Sequence, residues 1–290
     1  MSTAEHGPDL NGPRKNGLQV NGLQVNGLTI RGPQGQHLVD GLSFALAPGE
    51  RMGLIGESGS GKSLTALAII GLLPADLTVN GSIRWEETEV VGASERSLNS
   101  WRGRCAAVVF QEPLTALDPL MRLGQQLAEP VQRRARADGT KLGRQALDRA
   151  LHAAVLEVRL PDPERILRAY PHEISGGQRQ RMALAIALAG RPALLIADEP
   201  TTALDETIQS EILDLLDGLV RQRSMALLFI SHDLAVISRV ATRAVVLRAG
   251  QAVETGTMTN LLSEPQHSYT QELIASARQL DRALDWGTTP

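Results

Sequence analysis

Residues 56–63, GESGSGKS, intersperse glycines with serines and end on a lysine and a hydroxyl. That composition suits phosphate chemistry. Glycines let backbone N–H groups wrap phosphate oxygens, Lys62 can reach the β and γ oxygens of a nucleotide, and the Ser63 hydroxyl can ligate Mg²⁺. The context fits as well: the apolar run ERMGLI (Glu50 to Ile55) precedes the segment and the helical run LTALAIIGLL follows it. Among 29 Lys and Arg residues the only lysines are Lys15, Lys62 and Lys141, so composition alone does not explain a lysine here. A second segment, ISGGQ (Ile174 to Gln178), offers Ser175, Gly176, Gly177 and Gln178 at a helix start but has no lysine. It is half of an anion cradle.

Three more groups end apolar strands. LLIADEP (Leu194 to Pro200) supplies Asp198 and Glu199. Beside a phosphate loop, one acid can hold the metal and the other can orient attacking water; without it, the pair would be an ordinary solvated strand end. His232 follows ALLFIS, in a strand expected beside that of Asp198, from where it can touch a γ-phosphate. Gln111 follows AAVVF in the same manner. Asp205 has the position of an N-cap for a helix whose Ile208, Ile212, Leu215 and Leu219 recur at helical spacing.

The elements that must hold these groups are legible in outline. Buried strands are expected at Glu50 to Ile55, Ala106 to Phe110, Ala193 to Ala197 and Ala226 to Ser231, separated by helical periods, which predicts an α/β domain. A mostly helical interval between Phe110 and Leu194 includes a helix over Leu142 to Val158 and a break at Pro161 and Pro163. The start carries a repeat, NGLQV, NGLQV, NGLTI, from Asn16 to Ile30. Two outcomes are open for it: an Asn-Gly hairpin, or a disordered tail over 1–22 ahead of a strand made by the later copies. After Gly256 a short extension is expected, with a helix near Tyr269 to Leu280.

Composition narrows the function classes. With 290 residues, 42% hydrophobic and 21% charged, the chain can bury a sizeable core. Net charge is −3 and aromatics are 3%, with no basic stripe, which argues against nucleic acid as a partner. Apolar runs such as Ala66 to Leu73 are too short to span a bilayer, and the first residues lack a secretory h-region, so a cytosolic chain is expected. The single Cys105 excludes an internal disulfide and any multi-thiolate metal centre.

In order along the chain, GESGSGKS, Gln111, ISGGQ, LLIADEP, Ala203 to Asp205 and His232 resemble the Walker A, Q-loop, signature, Walker B, D-loop and H-loop of an ABC-type ATPase. The resemblance extends over roughly Leu23 to Leu273. It implies an α/β P-loop (RecA-like) core over 23–260, with an inserted helical subdomain at about 112–189, a small antiparallel β subdomain and an extension over 261–290. It implies ATP and Mg²⁺ as cofactors. ATP contacts fall on Gly56, Glu57, Ser58, Gly59, Ser60, Gly61, Lys62, Ser63 and Leu64, joined by Ser175, Gly176, Gly177, Gln178 and Asp205. Ser63, Gln111 and Asp198 then hold the metal, and Glu199, His232, Lys62 and Gln111 carry catalysis. In such ATPases the signature of one subunit closes over the ATP of another, so Ser175 and Gly177 would face a partner's γ-phosphate.

FQEPLTALDP, YPHEISGGQRQR, DEPTTALD and EPQHSYTQEL resemble the dipeptide, oligopeptide and nickel importer ATPases. That resemblance implies a second ABC ATPase subunit, different or identical, two transmembrane permease subunits and an extracellular substrate-binding protein. The chain would sit peripherally on the cytoplasmic face of a bacterial membrane, with peptide as the leading cargo and nickel as the alternative. Gln111 to about Gln125 would receive the permease's coupling helix. A soluble ABC ATPase acting on DNA or ribosomes is the competing class; it is disfavoured because no long heptad arms and no second cassette are present. Three departures stand out: Gly27 to Ser43 contains no Phe, Tyr or Trp for stacking adenine, only His37; Ser268 replaces a common proline; and no cysteine cluster occupies the tail.

Overall fold

A computed structural model describes residues 22–110, 116–201 and 205–285. Its centre is a six-stranded sheet built from β3 (Arg51–Ile55), β6 (Ala106–Val109), β7 (Leu194–Asp198), β8 (Ala226–Ser231), β9 (Arg243–Arg248) and β10 (Gln251–Thr257). The order is β10-β9-β3-β8-β7-β6, parallel except for β10, which pairs antiparallel on the β9 edge. The continuous apolar runs of β7 and β8 have a two-sided reason. Leu195, Ala197, Leu227 and Phe229 enter one core, whereas Leu194, Ile196, Ala226, Leu228 and Ile230 enter the other. This is the period-2 alternation of a strand covered on both faces, where each buried Leu or Ile contributes about 1.5–3 kcal/mol.

On one face lies an antiparallel sheet of β1 (Leu23–Arg31), β2 (His37–Leu46), β4 (Thr78–Trp85) and β5 (Thr88–Glu89), in the order β2-β1-β4-β5. Together with α1 (Lys62–Ile69) and α2 (Glu95–Trp101) it encloses the second core. The later copies of the repeat form β1, and Asn26-Gly27 lies at a register shift inside that strand instead of turning the chain. The first copy and its possible hairpin lie outside the described residues.

The other core is shared with α3 (Leu123–Ala137), α4 (Arg144–Glu157), α5 (Pro163–Arg168) and α6 (Gly176–Ala189). Pro163 starts α5 from within its first turn, where a missing N–H costs nothing, so the Pro161–Pro163 break becomes a helix boundary. Helices α7 (Glu206–Arg223) and α8 (Leu234–Val240) pack on the same face. The last described helices are α9 (Met258–Ser263) and α10 (Ser268–Asp285), whose Met258, Leu261, Tyr269 and Ile274 belong to this core.

The join between α6 and the loop before β6 leaves no room for a side chain. A Cβ at Gly190 would lie 1.7 Å from the Gly103 carbonyl oxygen. Gly190→Ala is therefore expected to lower unfolding free energy by at least about 2 kcal/mol, since backbone must shift to admit it. A urea titration showing an unchanged midpoint would contradict that packing.

Candidate functional site

The parallel strands deliver their chemistry at their carboxyl ends, along one edge of the sheet. Strand β3 ends at Ile55 and releases the chain into residues 56–61, which curl back into α1. Gly61 caps that helix at φ 97°, and a Cβ there would meet the Leu38 carbonyl at 2.8 Å, so glycine is required on both counts. The turn buries Lys62, which is 5% exposed, and its Nζ donates to the carbonyls of Gly56 (2.7 Å) and Glu57 (2.8 Å). Burial lowers the Lys62 pKa, while the carboxylates of Glu199, Asp198 and Glu57 oppose that shift. The ammonium is thus held among acids and carbonyls at the mouth of a helix.

Strand β7 lies two places from β3 and ends on Asp198. Asp198 is 6% exposed; burial raises its pKa, a hydrogen bond with Ser63 opposes the rise, and nearby Glu199 adds to it. Its Oδ1 is buried without a hydrogen-bond partner. An orphaned carboxylate oxygen beside a serine hydroxyl suits a hard divalent cation such as Mg²⁺, which binds through oxygens.

The next residue, Glu199, adopts φ 47° although it carries a side chain. Such a backbone is costly and persists only where its surroundings hold it. Here the Glu199 N–H donates to the Ile230 carbonyl at 2.9 Å, and the carboxylate Oε1 lies 3.1 Å from His232 Nδ1. Pairing of β7 with β8, with Asp198 opposite Ile230, brings these residues together. Glu199 is mostly enclosed, at 14% side-chain exposure, and His232 is open at 54%. Residues 56–59 and 61–64 line one cavity of about 550 Å³ with Glu199, His232 and Leu273.

Not every expected residue reaches this cavity. Ser175, the N-cap of α6, accepts from the Gln178 N–H (3.3 Å) while its own N–H donates to Gln178 Oε1 (3.1 Å). Ser175 and Gly176 are exposed and Gly177 packs near Ile208 of α7, away from the phosphate loop of the same chain. Asp205 caps α7 by accepting from the Ile208 N–H at 2.9 Å. Gln111 and the Ala203-Leu204 part of the ALD segment lie outside the described residues. Two contributors were not expected: Leu273 in the cavity wall, and Tyr269, whose hydroxyl accepts from the Glu57 N–H at 3.1 Å. Both come from α10, and nothing in their spacing shows that the tail returns to a loop more than 200 residues upstream.

A separate apolar groove of about 530 Å³ lies between the core and the helical segment. Ile70, Leu72, Val108, Pro130 and Ile186 form apolar parts of its wall, and Arg102, Arg104, Arg133 and Arg134 also line it. Glu129 lines it too, and none of residues 56–64, Asp198, Glu199 or His232 does.

The family model described as "ABC transporter" matches residues 39–202. The chain is 45% identical over 240 residues to the peptidoglycan transport ATP-binding protein YejF of Agrobacterium fabrum, covering 82% of this chain and 43% of that protein. It is 44% identical over 248 residues to a putative peptide import ATP-binding protein of Brucella abortus, covering 85% and 73% respectively. Thus it spans less than half of the first relative's length and nearly three quarters of the second's. Its fold is similar to a solved ATP-binding cassette described as a dimeric post-hydrolysis state bound to ADP and Pi. There the TM-score is 0.71 at 26% identity, over 81% of this chain and 98% of that one.

Proposed function

This chain belongs to the ABC transporter family, and from that membership we propose that it binds and hydrolyses ATP to energise peptide uptake by a bacterial importer. The observation that carries the proposal is the convergence of the 56–64 loop, Glu199 and His232 on one cavity, with Asp198 reaching the loop through Ser63. In this reading backbone N–H groups of residues 56–64 wrap the phosphates and Lys62 exchanges its two carbonyl partners for phosphate oxygens. Ser63 and Asp198, with Gln111, would hold Mg²⁺, which would supply positive charge to neutralise the phosphates. Glu199 orients the attacking water and accepts its proton. His232 holds Glu199 from the neighbouring strand and faces the γ-phosphate.

The signature residues Ser175, Gly176, Gly177 and Gln178 complete a site on a partner. Ser175 and Gly176 are exposed at the N-terminus of a 14-residue helix, with backbone N–H groups and a helix dipole suited to an anion. The partner is a second ABC ATPase subunit, different or identical, and Asp205 lies near the same junction. The residues after Gln111 and the apolar groove serve two transmembrane permease subunits. No helix among the described residues is long and apolar enough to cross a membrane, which suits a peripheral place on the cytoplasmic face. An extracellular binding protein selects the cargo. The relatives' names support peptide over nickel, and transport over a soluble role on DNA or ribosomes. The core over 23–260, with its helical subdomain at about 112–189, is the motor, and 261–290 is an accessory to it.

Metal removal tests the site directly. Phosphate release by the complex assembled in membrane vesicles is expected to fall at least about 100-fold when excess EDTA removes Mg²⁺, and to return on adding it back. Release that persists without divalent cations would refute the role given to Ser63 and Asp198.

A further inference from the structure

We propose that Tyr269 of the C-terminal helix is a positioning residue for the phosphate loop, clamping the Gly56–Glu57 peptide unit from the face opposite Lys62. The inference rests on the reading of residues 56–64 as an ATP site. A trans peptide points its C=O and N–H in opposite directions. In the Gly56–Glu57 unit the C=O accepts from Lys62 Nζ at 2.7 Å, and the N–H donates to the Tyr269 hydroxyl at 3.1 Å. One peptide plane is therefore held between an ammonium and a phenol. When Lys62 turns to a phosphate it releases the Gly56 carbonyl, and the hydroxyl of Tyr269 then remains to fix the plane at the entrance of the loop.

The tyrosine is itself anchored. Its residue is 2% exposed, and the Arg248 guanidinium carbon lies 4.9 Å from the ring centroid. Just upstream, the Glu254 carboxylate on β10 accepts the N–H groups of Gln266 (2.9 Å) and His267 (3.1 Å), which pins the segment entering α10. One turn further along α10, Leu273 lines the phosphate-loop cavity itself. The extension thereby reaches the nucleotide site through a rigid, doubly anchored contact. A tail serving only to bury apolar surface would not need its hydroxyl on that amide.

Tyr269→Phe keeps the ring and removes only the hydroxyl, so the test is a titration of the full chain with a fluorescent N-methylanthraniloyl ATP in the presence of Mg²⁺. The variant is expected to bind about 5-fold more weakly, the effect of one lost hydrogen bond. In the assembled complex KM for ATP is expected to rise by a similar factor with kcat within 2-fold, because the contact is present before and during reaction. Amide exchange supplies an independent readout: the wild-type Glu57 N–H is expected to exchange at least about 10-fold more slowly than an unstructured amide, and to lose that protection in the variant. Wild-type binding with unchanged affinity in Tyr269→Phe would overturn the proposal alone, even if the variant melts at a lower temperature. An unprotected wild-type Glu57 amide would overturn it without any variant. Failure of the wild-type chain to bind the nucleotide would overturn the ATP reading and this inference together.

Discussion

Replacing Glu199 with glutamine is expected to lower ATP turnover by about 10²- to 10⁴-fold while leaving nucleotide binding intact, the range typical for loss of a general base. The substitution preserves shape. Glutamine fills the enclosed space of a side chain that is 14% exposed, and its amide oxygen can still meet His232 Nδ1, which lies 3.1 Å from the present carboxylate. What it cannot do is accept a proton from water. The backbone holds this group in a costly conformation at φ 47°, locked by the Ile230 carbonyl, so the carboxylate is prepositioned before substrate arrives. Phosphate release by the assembled complex, measured beside fluorescent-ATP binding, separates the two effects. Unchanged turnover would remove Glu199 from the role proposed for it.

Lys62→Ala acts a step earlier. The ammonium now satisfies two loop carbonyls at 2.7 and 2.8 Å, and in the proposed complex it meets phosphate oxygens instead. Hydrogen bonds to charged groups are each worth about 1.5–3 kcal/mol, so ATP affinity is expected to fall about 10- to 100-fold. Burial makes the loss asymmetric. Alanine leaves the Gly56 and Glu57 carbonyls without their donor and places Asp198, already raised in pKa by burial, without a nearby opposing charge. Normal affinity in a fluorescent-ATP titration would refute the assignment of residues 56–64 as the phosphate cradle.

The groups that converge at the cavity were legible because each ends an element whose hydrophobic pattern is strong. The runs LLIAD and ALLFIS are buried at every position, so their strand character and their ends are sharply defined. Parallel pairing of two such ends places Asp198, Glu199 and His232 side by side. The antiparallel sheet was harder to read, because Asn26-Gly27, a strong turn signal, sits inside β1 at a register shift; strand pairing on both sides outweighs the local preference. The helical segment was legible where its periodicity and prolines agree, as in α4 and at the start of α5. Tyr269 and Leu273 were not legible as site residues. A helical pattern marks α10 as packed against something, but the partner is set by tertiary structure, here the loop at Glu57. The exposure of Ser175 has the same cause in reverse: its helix cap is readable from sequence, while its proposed phosphate belongs to another chain.

If this chain powers a membrane importer, purifying the tagged protein from gently solubilised native membranes should bring its partners with it, identifiable by mass spectrometry. Two permease-like membrane proteins, an ATPase partner and a binding protein for peptides are expected to accompany it. Recovery only from the soluble fraction, with ribosomal or DNA-associated proteins, would contradict that importer role, leaving the phosphate site in place and its proposed use overturned.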